Sequence, residues 1–316
     1  LERGLRLYRQ RDMKGAAKAF REAVRKRKDD PRAWLYLGQA LVVRGELKDA
    51  RKAFDNSLRL DPNFAAAHAG RAYLLLTIGH AFDAEKEAAR ALELDQKLID
   101  AHYVVGLIRL REEAWLKAIE KADAMLKVDD KTAVAYLLKS EALLGLHGLG
   151  SRILSEERRG AYDYDAATVA AASAAQPSRL KEAADNLEKY LALAPDAPDA
   201  ATQREQLETL RASTETDPAR KIYRQGETTT KALVTSKPEP GFTEEARSAG
   251  ITGVVRLRAV LGADGRVRHI MVMRGLRYGL TEKAVRAARA IKFKPATFNG
   301  MPVSQFVILE YNFNIY

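Results

Sequence analysis

Five histidines are the first residues in this chain that could do chemistry: His68, His80, His102, His147 and His269. Imidazole carries protons and binds metals near neutral pH, but a metal site needs further ligands at set spacing. None of the five gathers such a set. His80 and His147 read as lying near turns, and His269 falls in an expected strand. His68 and His102 stand 34 residues apart, which points to a repeated packing position. Glu112-Glu113 and Glu156-Glu157 are adjacent carboxylates. Successive helical residues diverge by about 100°, so both pairs read as solvated charge, not as acid–base couples. The stretch from Gly145 to Gly150 holds three glycines, but no strand precedes it as a phosphate loop requires. The chain has no cysteine, which removes thiol catalysis, disulfides and thiolate zinc. No nucleophile, base and orienting group come together. The expectation is a non-enzyme with no cofactor and no metal.

The 316 residues suffice for two domains, or for one elongated array with an appendage. With 47% apolar and 30% charged residues, the chain is neither disordered nor fibrous. No window approaches eighteen apolar residues, so no membrane span is expected. The net charge of +11 is uneven. Residues 1–28 hold 11 Lys/Arg against 3 Asp/Glu, and residues 231–316 hold 14 against 6. Such basic ends suit anionic polymers, yet no aromatic residues are interleaved as on a single-strand platform. They read as solvated faces, and no nucleic acid is expected. The lack of cysteine fits an oxidising envelope compartment. A signal or anchor is expected upstream of Leu1.

The elements that must place these residues follow a period of 34. Trp34 maps onto His68, His102 and Tyr136; Gly38 onto Ala72, Gly106 and Ser140; Ala50 onto Ala84 and Ala118. The segment Leu58-Arg59-Leu60-Asp61-Pro62 recurs as Leu92-Glu93-Leu94-Asp95 and Leu126-Lys127-Val128-Asp129. One step back stand Gly4, Ala16, Phe20 and Ala23. Two short antiparallel helices per unit explain the pattern. Small residues sit where helices cross, large apolar ones fill the gaps, and Asp or Pro ends the second helix. One pair cannot bury both its faces, so units must stack.

The pattern resembles the tetratricopeptide repeat over about residues 1–196. A fifth unit begins at Ala133, but its second helix reads only from Ala183, Leu187, Tyr190 and Pro195. An insertion near 148–178 therefore separates its helices, as a functional or a disordered loop. A capping helix is expected over 199–211, which gives an all-α solenoid of about five units over 1–212. In the family, ligands lie against the first helix of each pair. That resemblance places Leu35, Gln39, Ala69, Tyr73, Tyr103 and Leu107 in a groove. The Lys and Asn clamp with which some members hold peptide C-termini is missing there. An apolar, tyrosine-bearing groove suits an extended or helical protein segment. The other reading is that these tyrosines pack within the array, or that the insertion fills the groove.

Residues 213–230 are polar and read as a linker. The period then changes. Val254 to Leu261 forms a strand, Gly262-Ala263-Asp264-Gly265 a hairpin turn, and Val267 to Met273 a second strand. That second strand should set Val267, His269, Met271 and Met273 on one face. Leu280 to Ile291 is helical, with Ala284, Ala287, Ala288 and Ile291 as its stripe, and Gln305 to Phe313 is a last strand. The β-β-α-β order predicts a small α+β domain over 231–316, with a core of Leu257, Ile291, Phe293 and Phe306 or Val307.

Its motifs are Lys237-Pro238-Glu239-Pro240-Gly241-Phe242, Ala246-Arg247, Gly250, Gly253, the turn above, Gly275, Phe293-Lys294-Pro295-Ala296, Gly300-Met301-Pro302-Val303 and Glu310-Tyr311-Asn312-Phe313. Together they resemble the C-terminal domain of the TonB family of energy transducers. Phe242-Thr243 stands where the family commonly has Tyr-Pro, and Arg274 where Ser is usual. The resemblance implies a periplasmic or envelope location and capture of an extended segment, such as one from an outer-membrane transporter, by strand addition on the last strand. The partner-binding residues would be Val303, Gln305, Phe306, Val307, Ile308, Leu309 and Tyr311. That strand carries no lysine and one charge, Glu310. Membrane helix and Pro-rich spacer, which full-type members carry, are not seen in this chain. The expected function is an adaptor whose repeats hold one protein while this domain captures another. The alternative is a structural subunit that self-assembles, or attaches to a large envelope complex, through the repeats and the exposed edge.

Overall fold

The computed structural model describes residues 1–154, 164–174, 176–214, 221–248, 251–276 and 279–314. Glu156-Glu157 and Gly250 lie outside the described residues. The chain divides into two units, Leu1–Ala142 and Leu143–Tyr316.

In the first unit the repeat becomes paired helices: α1 (Glu2–Arg9) with α2 (Met13–Lys26), α3 (Pro31–Val43) with α4 (Leu47–Leu60), α5 (Ala65–Thr77) with α6 (Ala81–Leu94), and α7 (Ile99–Arg111) with α8 (Trp115–Val128). Ala16, Ala50, Ala84 and Ala118 are fully buried, one per unit. The Phe54 ring lies between two glycines of successive units. A Cβ on Gly38 would come to 2.7 Å from it, and one on Gly70 to 2.5 Å. The residues aligned with Trp34 share one role. Trp34 Nε1 donates to the Lys28 carbonyl at 3.0 Å, His68 Nε2 to Pro62 at 2.9 Å, His102 Nε2 to Gln96 at 2.9 Å, and Tyr136 to Asp130 at 2.9 Å. Each acceptor lies six residues upstream, at the turn that enters its helix. Two histidines are thus assigned to packing, and His68 also pairs with Glu87 at 2.8 Å. The turn inside each pair is left-handed at Arg11, Gly45, Gly79 and Glu113, again 34 apart.

In the second unit α9 (Ala133–Leu154), which starts in the first, runs through Gly145, Gly148 and Gly150. The insertion expected from 148 is therefore helical at its start, and His147, expected near a turn, lies within that helix. Leu146 and Leu149 are buried, and this continued apolar spacing outweighs the weak helix propensity of glycine. Next come α10 (Ala166–Ser173), α11 (Gln176–Leu193) and α12 (Ala200–Ser213), which packs on α11. Ala183, Leu187 and Tyr190 of α11 are buried.

The remaining elements are β1 (Leu233–Ser236), α13 (Glu244–Ser248), β2 (Gly253–Leu261), β3 (Val267–Arg274), α14 (Leu280–Arg289), β4 (Lys292–Lys294), β5 (Ala296–Phe298), β6 (Met301–Val303) and β7 (Gln305–Phe313). A three-stranded antiparallel sheet has the order β3-β2-β7. Two small ribbons, β1 with β4 and β5 with β6, stand beside it. Val255, Leu257 and Ala259 of β2 and Leu309, Tyr311 and Phe313 of β7 form one buried face under α14. Ile291 joins that core, with Phe293 and Val307 partly buried against it. The alternation expected along β3 fails at His269, whose φ is +50°. The β2–β3 register shifts opposite it, so Ile270 and Met271 are both buried.

Candidate partner-binding edge and repeat groove

β7 is an edge strand with β2 on one side. In an antiparallel strand the N–H and C=O of one residue point the same way, and alternate residues point to opposite sides. Two bonds identify the free side. Phe306 N–H donates to the Tyr223 carbonyl at 2.9 Å, and Tyr223 N–H to that of Ser304 at 2.9 Å. Even-numbered residues thus face away from β2. Tyr223 closes the edge at its start, and from there the outward-facing run extends to Asn312. Ile308 is central to it and 55% exposed. Among the described residues no backbone pairs with the Ile308 or Asn312 N–H. A guard absent from the strand itself comes from elsewhere: Lys237 Nζ donates to the Glu310 carbonyl at 2.6 Å and lies 4.6 Å from the Tyr311 ring centre. The Glu310 side chain accepts from Arg256 at 2.6 Å.

The seven residues expected on this edge do different things. Val303 belongs to β6 and pairs with Ala296. Gln305 is fully buried; it donates to Thr228 at 2.7 Å and accepts from Ala232 N–H at 3.0 Å. Leu309 and Tyr311 point into the core, with Val307 partly buried against it, and burial pushes the Tyr311 phenol up to about 12. Phe306 and Ile308 lie on the opposite face, across from Val260 and Arg258 of β2. The stretch 221–230, expected as linker, is attached to this domain: Thr230 and Thr297 exchange backbone bonds at 3.1 Å, and Tyr223 packs on Phe298 with ring centres 5.1 Å apart. Tyr223, Lys237 and Arg258 were invisible as edge residues because their roles depend on contacts with residues far along the chain, Ser304, Glu310 and Phe306.

In the repeats, Tyr73 and Tyr103 stack with ring centres 6.4 Å apart, and Tyr73 is 40% exposed. Gln39 and Leu107 are half-buried, whereas Leu35 and Ala69 are buried and form floor instead of lining. Asp100 stands one turn before Tyr103 and is exposed to solvent, yet the protein around it raises its pKa. Tyr8 of α1 is raised by burial, with Asp100 and Tyr73 adding to it. The Asp100–Tyr103 spacing of three was the signal available in the sequence. Among the described residues there is no metal-ligand cluster, and no helix is long and apolar enough to cross a membrane.

Comparison with known proteins bears on family and fold. Residues 238–315 match the family described as Gram-negative bacterial TonB protein C-terminal, and residues 1–64 match the Tetratricopeptide repeat. A search of the curated proteins finds no match. Among solved structures, the chain is similar to TTC0263, a thermophilic TPR protein in Thermus thermophilus. They share 16% identity over 66% of this chain and 94% of that one, with a TM-score of 0.50. An IFIT1 monomeric mutant with Gppp-AAAA matches at 12% identity and TM-score 0.51, over 64% of this chain and 43% of its own. At these identities the likeness concerns the fold alone. Both matched families are non-catalytic modules whose partners are proteins, and the TonB C-terminal family is one of Gram-negative bacteria. Motifs, family matches and fold together make this chain a tetratricopeptide-repeat solenoid followed by a domain of the TonB C-terminal type.

Proposed function

We propose that the chain is a periplasmic or envelope-facing adaptor. Its repeats, residues 1–212, hold one protein in the groove lined by Gln39, Tyr73, Tyr103 and Leu107. Its domain from 231 captures an extended segment of another, such as an outer-membrane transporter, as a fourth strand on β7. The observation that carries this reading is the run of outward N–H and C=O groups from Phe306 to Asn312 beside an exposed Ile308. Such an edge is a template for a further strand. Each net backbone bond contributes about 0.5–1.5 kcal/mol, so four or five, less the cost of ordering the peptide, give binding near the micromolar range. Lys237 must yield the Glu310 carbonyl to the incoming strand, which keeps the free edge from pairing at random.

A photo-reactive residue at Asn312 of the intact chain tests this in cells. Adducts with an outer-membrane protein, lost when Ile308→Pro removes one outward N–H, support the adaptor. Adducts only with a second copy of the chain would favour a self-assembling subunit.

A further inference from the structure

Two arginines stand beside the point where the β7 edge opens. Arg258 of β2 lies opposite Ile308, and its guanidinium stacks over the Phe306 ring at 4.1 Å. Phe306 is the diagonal neighbour, so the charge leans toward the start of the edge. Arg224 directly follows Tyr223, the residue that closes that start. Two neighbouring arginines of this sheet are paired, Arg256 with Glu310 and Arg268 with Asp264. Among the described residues Arg258 has no carboxylate partner. Glu227, the acid nearest Arg224 in sequence, already accepts the Arg224 backbone N–H at 2.8 Å and lies 3.6 Å from Lys221. Burial, and then Arg224, push the Arg258 pKa down to about 10. A half-buried cation next to a like charge is unfavourable until an anion joins it.

We propose that Arg224 and Arg258 select an acidic side chain on the strand that docks along β7, its carboxylate seated on the outer sheet face beside Phe306. This rests on the strand-addition reading above. A strand pairing with the Ile308 N–H must end where residues 221–224 leave the edge. A residue there, facing the Phe306 side of the sheet, meets both guanidinium groups. Guanidinium and carboxylate match in planar, two-point geometry, and the stack on Phe306 holds the Arg258 fork flat.

The test uses the intact protein and three fluorescent peptides, Xaa-Thr-Val-Thr-Val-Thr-Xaa with Glu, Gln or Lys at both ends, so that strand direction does not matter. Affinities are read by anisotropy at low salt. The Glu peptide is expected to bind about tenfold tighter than the Gln peptide and the Lys peptide more weakly than either, with the preference shrinking as salt rises. In the Arg224→Gln/Arg258→Gln variant the Glu preference should fall within about twofold, and Arg258→Lys should keep part of it. Equal affinity for the Glu and Gln peptides, with both lost in Ile308→Pro, would overturn the selector and leave the edge standing. Persistence of the Glu preference in the double variant would do the same. Binding of none of the three would overturn both readings.

Discussion

At Gly38 and Gly70 no side chain fits, because both press on the same Phe54 ring. Over-packing of this kind costs about 1–3 kcal/mol. Gly38→Leu should therefore lower the denaturation midpoint of the intact protein, while Gly241→Ala, with nothing within 4 Å of its new Cβ, should not. Equal midpoints would remove the close crossing from the account. Gly38 was legible because a small residue recurs there every 34 positions. The left-handed turns at Arg11 and Glu113 were not, since neither residue type advertises positive φ; only Gly45 and Gly79 do so. His269 combines both cases: visible as a strand residue, hidden as a bulge. Burial lowers its pKa and outweighs Glu208 and Glu205 of α12, while Arg268 adds to the lowering. The unfolded chain then takes up the proton first as pH falls, so this group's part of the stability is lost on acidification from about 6.5 downward. His269→Asn, which tolerates positive φ, should shrink the fall in melting temperature between pH 7.5 and 5.5. An unchanged fall would assign that sensitivity to other groups.

Among the elements, β2, β3, α14 and β7 follow the expected bounds closely, because short apolar strand runs around the Gly262–Gly265 turn and a helical alanine stripe leave little choice. What stayed illegible was built from short or distant pairings. β5 and β6 are three residues each and close on Asn299-Gly300, both at positive φ. The stretch 221–230 is polar, so it reads as linker, yet Tyr223, Thr229 and Thr230 bond to Ser304, Phe306 and Thr297. A fragment of 221–316 should therefore melt several degrees above one of 231–316, with scanning calorimetry as the measurement. Equal melting would mean these bonds add nothing to the isolated domain. The glycines of α9 misled in the opposite sense, since buried Leu146 and Leu149 carry the helix across them.

For the whole molecule, the account joins two modules that bind proteins and neither of which needs chemistry. In the proposed function, a groove with two stacked tyrosines and a sheet edge with outward-facing backbone groups serve as recognition surfaces. The central claim is that the second receives a strand, and alternation makes it sharply testable. Amide NMR of the labelled intact protein, with the Glu-ended peptide added, reads each backbone N–H of β7 separately. Slowed exchange is expected at Ile308, Glu310 and Asn312, whose N–H groups face outward, with no change at Val307, Leu309 and Tyr311, which already face β2. Protection that ignores this alternation, or that appears only outside β7, would contradict strand addition on this edge.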